Sequence, residues 1–557
     1  MKIKVKYKIL YENKDLNLIE RLLKIRGIDE NADIFLNPKI KDYRLDPMKL
    51  NDMPKAVNRI IQALKNKEKI MIFGDYDVDG ITSSFILFKF FTKFLKYRNI
   101  SIMYPDRIEE GYGIKNSHLD EMKEKGVSLI ITVDNGITNI QEVEYAKEIG
   151  LDMIITDHHK NLEKLPDAIA VINPLISKDY EFKHLAGVGV AFKLLCALLD
   201  STKTWSEKKK NNIFNYFLPI VAIGTVADIV SLTGENRLLV KKGLDLINNH
   251  RDQIPESLQG FLEYLNLKEV DTFHIGFIIG PRINAGGRID SPYNSLNTLL
   301  FTGDKQLEAL QKIDEINTDR KKLQEDDFKI AEEMLDLDQK ILIAEHEDFH
   351  EGVVGIVSGK ITEKYNKPSI VFKINRDKGV AVASLRGPEY FNIIEMLQKH
   401  SDLLERSGGH KQAGGLTVSL DKLDEFKKSV ETYCNEIIND DDLEKILYID
   451  TKIYDDEWDY ELIQGLEGLA PFGEGNKEPQ LLFENVNIEK IEKVGKNGNG
   501  HMKIHGVFGD KKINFLFRGK GDMIKNINTN SKINVVGKIK KDDFNGGYYV
   551  NGLELIE

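Results

Sequence analysis

Cysteine is nearly absent: the 557 residues hold two, Cys196 and Cys434. Two cysteines cannot build a disulfide framework or a cysteine-based zinc site, so the chain suits a reducing, cytoplasmic compartment. Long hydrophobic runs are also missing. The longest, near Phe85–Phe94 and Phe217–Val230, are broken by Lys, Gly, Thr or Asp and are too short to span a bilayer. The N-terminus, MKIKVKYKIL, alternates Lys with apolar residues. It lacks the apolar core of a signal peptide and reads as a half-solvated strand. A positive excess is lacking too, since 78 Lys+Arg against 89 Asp+Glu gives a net charge of −11. That excludes a strongly basic nucleic-acid coat. With 41% hydrophobic and 30% charged residues the chain is not disordered. At roughly 150 residues per domain it holds three or four domains.

What is present is an α/β pattern. Lys69–Gly74, Ile100–Tyr104, Ser128–Val133, Asp152–Thr156 and Ala170–Ile172 read as strands. Helices follow several of them, with Ser117–Lys125 (Ser at its N-cap) and Ile140–Ile149 between strands. Strands alternating with helices imply parallel βαβ units in an open sheet. Gly187–Ile229 turns helical, and Leu307–Leu337, free of Pro and Gly, reads as a long connecting helix with a solvated charged face. A second α/β block follows, with strands at Lys340–Ala344 and Pro368–Lys373, helices at Val354–Tyr365 and Leu423–Asn435, and the Gly-rich Ser407–Gly415 (SGGHKQAGG). The last hundred residues carry short β-rich runs with turns at Asn497–Gly500 and Asn545–Gly547, as in a small barrel. From Glu484 to Glu557, 13 Lys/Arg against 9 Asp/Glu give +4, so the acidity is uneven.

Three acidic loops follow three successive strands. GDYDVDG places Asp75, Asp77 and Asp79 after the first, TVDNG places Asp134 after the next, and ITDHH places Asp157, His158 and His159 after the third. The first loop opens like an EF-hand. That motif needs a preceding helix and a Glu at its twelfth position, where Ile86 stands, so calcium is a poor reading. In an open parallel sheet, ligands bind beyond the carboxyl ends of the strands, which brings the three loops together. So many carboxylates repel unless a cation neutralises them. Carboxylates with one or two His suit Mn²⁺ or Mg²⁺, and their number suggests two ions. Such pairs activate water and stabilise the leaving oxygen in phosphate-ester hydrolysis.

DYDVDG, VDNG and DHH, in this order and spacing, resemble the DHH phosphoesterase superfamily. YPDR (Tyr104–Arg107) with GYG (Gly111–Gly113), AGVGVAF (Ala186–Phe192), GTVADIV (Gly224–Val230), GPRINAGGR (Gly280–Arg288), SGGHKQAGG and GLAPFGEGN (Gly468–Asn476) narrow the resemblance to the RecJ family of single-strand-specific exonucleases. The similarity runs from about residue 50 to the end of the chain. It implies a DHH catalytic domain (51–300) after an N-terminal extension (1–50), a connecting helix (301–339), a DHHA1 domain (340–440) and an OB-fold (445–557).

The resemblance also implies roles. Asp77 and Asp134, with Asp75 near or on the ion, would hold one metal. Asp79, Asp134, His158 and Asp228 would hold the other, with Asp134 bridging. Asp157 would support that shell and His159 would touch the scissile phosphate. Asp228 lies in an apolar run, PIVAIGTVADIV, where a buried carboxylate needs a partner; a helix-end cap is the alternative. Arg107, Arg282, Asn284, Arg288, Ser384, Arg386, His410 and the Gly408–Gly409 backbone would meet substrate phosphates or the terminal nucleotide. Arg282 and Arg288 are expected in a Gly-rich loop whose small residues let a backbone approach closely. AGVGVAF is expected to serve close helix packing; Phe192 replaces the third Gly of a dinucleotide fingerprint. Lys208–Lys210 and Asn211–Asn212 read as a solvated loop. In the barrel, Phe515, Phe517, Tyr548 and Tyr549 are candidates for base stacking, alternate members being core.

The expected activity is 5′→3′ hydrolysis of single-stranded DNA to 5′-mononucleotides, serving DNA repair and recombination, with two divalent ions, Mn²⁺ or Mg²⁺. Expected partners are single-stranded DNA, a single-strand-binding protein and a RecQ-type helicase, with no membrane and a monomeric state. The alternatives are a small-substrate DHH phosphodiesterase (an oligoribonuclease or cyclic-dinucleotide phosphodiesterase) and a non-catalytic single-strand-binding scaffold. The scaffold should lack metal ligands, whereas every acidic and His position of the motifs is filled here.

Overall fold

The computed structural model describes residues 6–28, 30–39, 45–107, 110–160, 164–495, 500–527, 531–542 and 546–556. Residues 44–443 form one compact unit, and residues 1–43 with 444–557 form another. The first strand, β1 (Lys6–Ile9), belongs to the second unit.

In the larger unit, β2 (Lys69–Gly74), β3 (Ile100–Met103), β4 (Val127–Val133), β5 (Asp152–Thr156) and β6 (Ala170–Ile172) build a parallel sheet in the order β3-β2-β4-β5-β6. Their near-continuous apolar sequences fit burial on both faces. One face packs on α1 (Val78–Lys89), α2 (Gly187–Ser201) and α3 (Glu207–Ala227); the other is covered by Asn116–Glu124 and Ile140–Glu148. The Asn116–Glu124 helix takes Lys115, not Ser117, as its N-cap. Register sets the site: Gly74 pairs with Val133, and Val133 with Thr156. The next residues, Asp75, Asp134 and Asp157, therefore emerge at one level of the sheet's carboxyl edge.

Close helix packing depends on AGVGVAF and GTVADIV. A Cβ at Gly224 would overlap Thr82 of α1 and lie 2.7 Å from Val188 Cγ1 of α2. The Lys208–Asn212 run is helical: it forms the first turns of α3, behind a Ser206 N-cap. GPRINAGGR is a further departure from expectation. It is not a loop but the helix α4 (Gly280–Ile289), which continues a wider helical turn at Ile275–Ile279, with Pro281 at their junction.

The long helix α5 (Asp304–Met334) leads to the second sheet. Its face is not wholly solvated, because Asn317, Arg320 and Asp327 are buried beside Leu310, Ile313 and Ile316. The sheet comprises β7 (Leu342–His346), β8 (Ser369–Asn375), β9 (Val380–Arg386), β10 (Arg406–His410) and β11 (Ala413–Ser419), ordered β10-β11-β9-β8-β7. Only β7 and β8 run parallel. Helix α6 (Glu351–Tyr365) packs on it, and Leu423–Ile437 closes the block. SGGHKQAGG is a β-hairpin, with Gly408 opposite Gly415 and His410 opposite Ala413.

In the other unit β1 pairs in parallel with β12 (Ile446–Ile449). The short β13 (Thr451–Lys452) joins β14 (Leu481–Val494). Then β14, β15 (His501–Phe508), β16 (Lys511–Phe517), β18 (Tyr548–Ile556) and β17 (Lys532–Lys541) pair in turn, and β17 returns to β14, closing a five-stranded barrel. Phe515 and Phe517 are wholly buried and pack in this core, so they are unavailable for stacking; Tyr548 and Tyr549 are partly exposed. Of the expected turns, 497–499 and 545 lie outside the described residues. No helix among the described residues is long and apolar enough to cross a membrane.

Candidate two-metal centre

The acidic loop after β2 is set by its own backbone. Asp77 caps α1, its Oδ1 accepting the Gly80 N–H at 3.0 Å. A Cβ at Gly80 would overlap the Asp75 carbonyl, so only glycine fits there. Asp79 is buried, and its carboxylate accepts the N–H groups of Gly187 (2.6 Å) and Val188 (2.8 Å) at the start of α2. Helix N-termini favour anions, and two converge on this loop.

Asp134 sits at φ +62°, a strained conformation for a residue with a side chain. Its N–H donates to Thr156 O at 3.0 Å. A Cβ at Gly187 would lie 2.6 Å from Asp134 Oδ1, so α2 approaches this carboxylate as closely as glycine allows. His158 Nε2 lies 3.1 Å from Asp134 Oδ1, 3.7 Å from Asp228 Oδ2 and 3.9 Å from Asp79 Oδ2. Asp228 ends α3 as its C-terminal cap residue, yet its carboxylate turns to this centre.

These side chains offer ligand atoms in three overlapping groups, each within 4.8 Å: Asp75, Asp77 and Asp134; Asp79, His158 and Asp228; and Asp134, His158 and His159. Asp134 and His158 are shared. Asp157 is placed differently. Its buried carboxylate accepts from the N–H groups of Ile137 (2.9 Å), His158 (2.7 Å) and His159 (3.0 Å), and pairs with His159 Nδ1 at 2.8 Å. Fully engaged, it orients the two histidines and offers nothing to a metal.

The electrostatics ask for cations. Burial, then the Asp77 charge, pushes Asp75 well above the usual carboxylate range, and the same causes raise Asp79 to about 7. Burial, then Asp79, raises Asp134; burial, then Asp79, raises Asp228. Burial and the neighbouring His159 lower His158 to about 4, so its imidazole is neutral, as a metal ligand must be. Burial opposes protonation of His159, but the Asp157 hydrogen bond and charge, then Asp75 and Asp77, raise it to about 9. The donor set passes a direct test of fit. Asp75 Oδ1, Asp134 Oδ1, Asp228 Oδ2 and His158 Nε2 are buried and make no hydrogen bond. Orphaned buried acceptors are costly, and two divalent cations would satisfy all four.

Beyond the acidic centre lies a guanidinium cluster. Arg107 stacks over the Tyr76 ring, 4.9 Å from its centroid. Arg288, at the end of α4, donates to Gly352 O at 3.3 Å. Burial, then Arg107 and Arg320, lowers it to about 9. Arg386 is likewise lowered by burial and Arg107. Its Nη2 and Ser384 Oγ both lie 3.3 Å from where a Gly355 Cβ would stand on α6. His410 is lowered by burial, then by the charges of Arg386, His159 and Lys160, which places it in the same field. Gly408 and Gly409 are exposed beside it on β10. So many cations together suit an anion of several charges.

Two expected contacts lie elsewhere. Arg282 pairs with Asp314 at 2.6 Å and donates to Ile278 O. Asn284 Oδ1 accepts the Val78 N–H at 3.1 Å and so holds the acidic loop. The glycines of α4 serve packing: a Cβ at Gly287 would overlap the Tyr76 carbonyl. Two residues went unassigned from sequence. Tyr112 OH donates to Asp134 O at 3.0 Å and lies 3.3 Å from His159 Nδ1. Arg320 joins the guanidinium cluster, and its position four residues after Ile316 on the apolar stripe of α5 was the available signal.

Comparison with known proteins gives the chain's relatives. The DHH family N-terminal domain matches residues 69–225, the DHHA1 domain 338–436 and the RecJ OB domain 449–551. The single-stranded-DNA-specific exonuclease RecJ of Bacillus subtilis is 34% identical over 95% of this chain, which spans 66% of that protein's length. That of Haemophilus influenzae is 30% identical over 87% of this chain and 86% of its own length. The structure of RecJ from Thermus thermophilus in complex with Mn²⁺ matches with a TM-score of 0.83 over 100% of this chain and 80% of that one. At 24% identity this likeness shows the fold alone. An exonuclease RecJ bound to manganese matches with a TM-score of 0.61 at 29% identity, over 71% of this chain and 97% of its own.

Proposed function

The chain belongs to the RecJ family of single-stranded-DNA-specific exonucleases, and we propose from that premise that its acidic centre removes 5′-mononucleotides one at a time from single-stranded DNA. The observation that carries the reading is the convergence of four buried, unpartnered ligand atoms from Asp75, Asp134, His158 and Asp228. Asp75, Asp77 and Asp134 would hold one divalent cation and Asp79, His158 and Asp228 the other, with Asp134 between them. The pair, Mn²⁺ or Mg²⁺, supplies activation of the attacking water and stabilisation of charge on the leaving oxygen.

The remaining work belongs to the chain itself. Arg107, Arg288 and Arg386, with Ser384 and His410, receive the 5′-terminal phosphate. This fixes which phosphodiester reaches the acidic centre. Asp157 and Tyr112 hold Nδ1 of His159, leaving Nε2 to donate to a non-bridging oxygen of the scissile phosphate. Water adds to phosphorus and the bond to the 3′-oxygen of the first nucleotide breaks. The products are that mononucleotide and a strand with a new 5′-phosphate, which is again a substrate. A narrow approach to the buried ligands would admit a flexible single strand and exclude a duplex. This activity suits DNA repair and recombination, in company with a single-strand-binding protein and a RecQ-type helicase.

End-labelled oligonucleotides test the reading. With Mn²⁺, the wild-type protein releases 5′-mononucleotides from single strands and spares a blunt duplex. Asp134→Ala abolishes release, by at least about 10³-fold, while binding of the strand persists. Nuclease activity retained in that variant, or preference for a dinucleotide over a long strand, overturns the proposal.

A further inference from the structure

Ile229, Phe277 and Phe273 are the most exposed large apolar side chains among the described residues, at 73%, 71% and 55%. Two of them are paired. The Phe273 and Phe277 rings stack with centroids 4.9 Å apart and planes at 24°. Ile229 follows the metal-centre residue Asp228 and is held at φ +60°, unusual for a β-branched residue.

The two phenylalanines belong to a helical run that continues into α4: Thr272–His274, a wider turn at Ile275–Ile279, then Gly280–Ile289. One side buries Ile275, Ile279 and Ile283. Along the other, Gly287 abuts the Tyr76 carbonyl, Asn284 holds the Val78 N–H, and a Cβ at Gly280 would lie 3.7 Å from that of Ala227, next to Asp228. Phe277 and Phe273 stand three and seven residues before Gly280, across the wider turn, so the stacked pair lies on the N-terminal continuation of the helix that holds the acidic loop, within about 10 Å of Gly280 along its axis. Arg288 stands at the opposite end of α4. One helical run thus carries Arg288 of the guanidinium cluster at its end, the acidic-loop contacts of Asn284 and Gly287 in its middle and an uncovered aromatic pair at its start.

We infer that Phe273 and Phe277 form a platform on which the bases of nucleotides three and four of the single strand stack. The inference rests on the proposed reading that a single strand with its 5′-phosphate at the guanidinium cluster is the substrate. Stacking on aromatic faces is tolerant of base identity and needs an exposed, desolvatable ring. A stacked pair on the helical run that holds the acidic loop offers that, whereas isolated exposed apolar residues would not.

The test uses the full chain with Mn²⁺, a 5′-phosphorylated 20-mer and a 5′-phosphorylated dinucleotide, which is too short to reach the platform. Phe273→Ala/Phe277→Ala is expected to raise KM on the 20-mer about fivefold or more, with kcat and dinucleotide hydrolysis unchanged. Phe273→Trp/Phe277→Trp restores the wild-type KM. Abasic sites at nucleotides three and four slow the wild type but not the alanine variant. An unchanged KM on the 20-mer, or a wild type insensitive to those abasic sites, overturns the platform. An unchanged KM with an altered oligomeric state on size exclusion also overturns it, and makes the patch an interface between copies. Failure of the underlying reading is visible separately, as a wild-type protein that does not degrade the 20-mer.

Discussion

Asp134 concentrates the conflict in this site. It is buried, its backbone is strained at φ +62°, and it faces Asp79, Asp77, Asp228 and Asp75. Gly187 gives it room, since any side chain there would push against its carboxylate. Such crowding costs stability when no cation is bound and is relieved when cations enter. Replacing Asp134 with Asn keeps the shape and removes one charge. The metal-free Asp134→Asn protein should therefore melt above the metal-free wild type, by about 1 kcal/mol or roughly 2–4 °C. Mn²⁺ should raise the wild-type melting temperature, by about 2.7 kcal/mol of stabilisation at a hundred times the dissociation constant, and raise the variant's far less. Thermal melts with chelator and with Mn²⁺ check both signs. A variant that melts below the wild type in chelator would show that Asp134 stabilises the metal-free fold.

At the scale of elements, the strands and the acidic loops were legible and the arginine-bearing elements were not. An apolar run ending in Asp reports both a buried strand and its functional edge, because parallel strands in register deliver their next residues to one level. GPRINAGGR misled because Gly and Pro usually mark loops. Here Pro281 sits where a wider helical turn passes into α4, and the glycines let a helix lie against Tyr76 and Ser295. Packing against the acidic loop outweighs the weak helix propensity. Arg320 and Asp327 were hidden for a related reason: in a charge-rich helix only their phase relative to Ile313 and Ile316 marks them as buried. The role of α4 is then to hold the acidic loop, with Asn284 accepting from Val78. Asn284→Ala leaves that N–H unpaired at a cost of about 1–3 kcal/mol and loosens Asp77 and Asp79. We expect weaker Mn²⁺ binding by about tenfold or more, measured by calorimetric titration, with affinity for single-stranded DNA in chelator little changed. Equal losses of both would make Asn284 a strand contact instead.

For the whole molecule, the charge of −11 described neither site, since the acidic centre and the guanidinium cluster hold opposite charges within one unit. The chain's organisation was likewise hidden, because pairing between its ends leaves no local pattern. Strand β1 lies beside β12, and Arg21, fully buried, is held in the C-terminal unit. Its guanidinium forks onto Glu457 (3.0 and 2.7 Å), donates to Lys452 O (2.9 Å) and to Leu16 O, and reaches Thr451 Oγ1 (3.2 Å). Breaking a buried, hydrogen-bonded pair leaves Glu457 without its cation and costs about 3–5 kcal/mol. Arg21→Ala should therefore speed proteolysis within 444–556, far from Arg21 in sequence. Mn²⁺-dependent hydrolysis of a dinucleotide should persist, because the proposed metal ligands and phosphate contacts lie in 44–443. If instead only the N-terminal segment becomes protease-sensitive, the first residues decorate the barrel unit and do not help to hold it together.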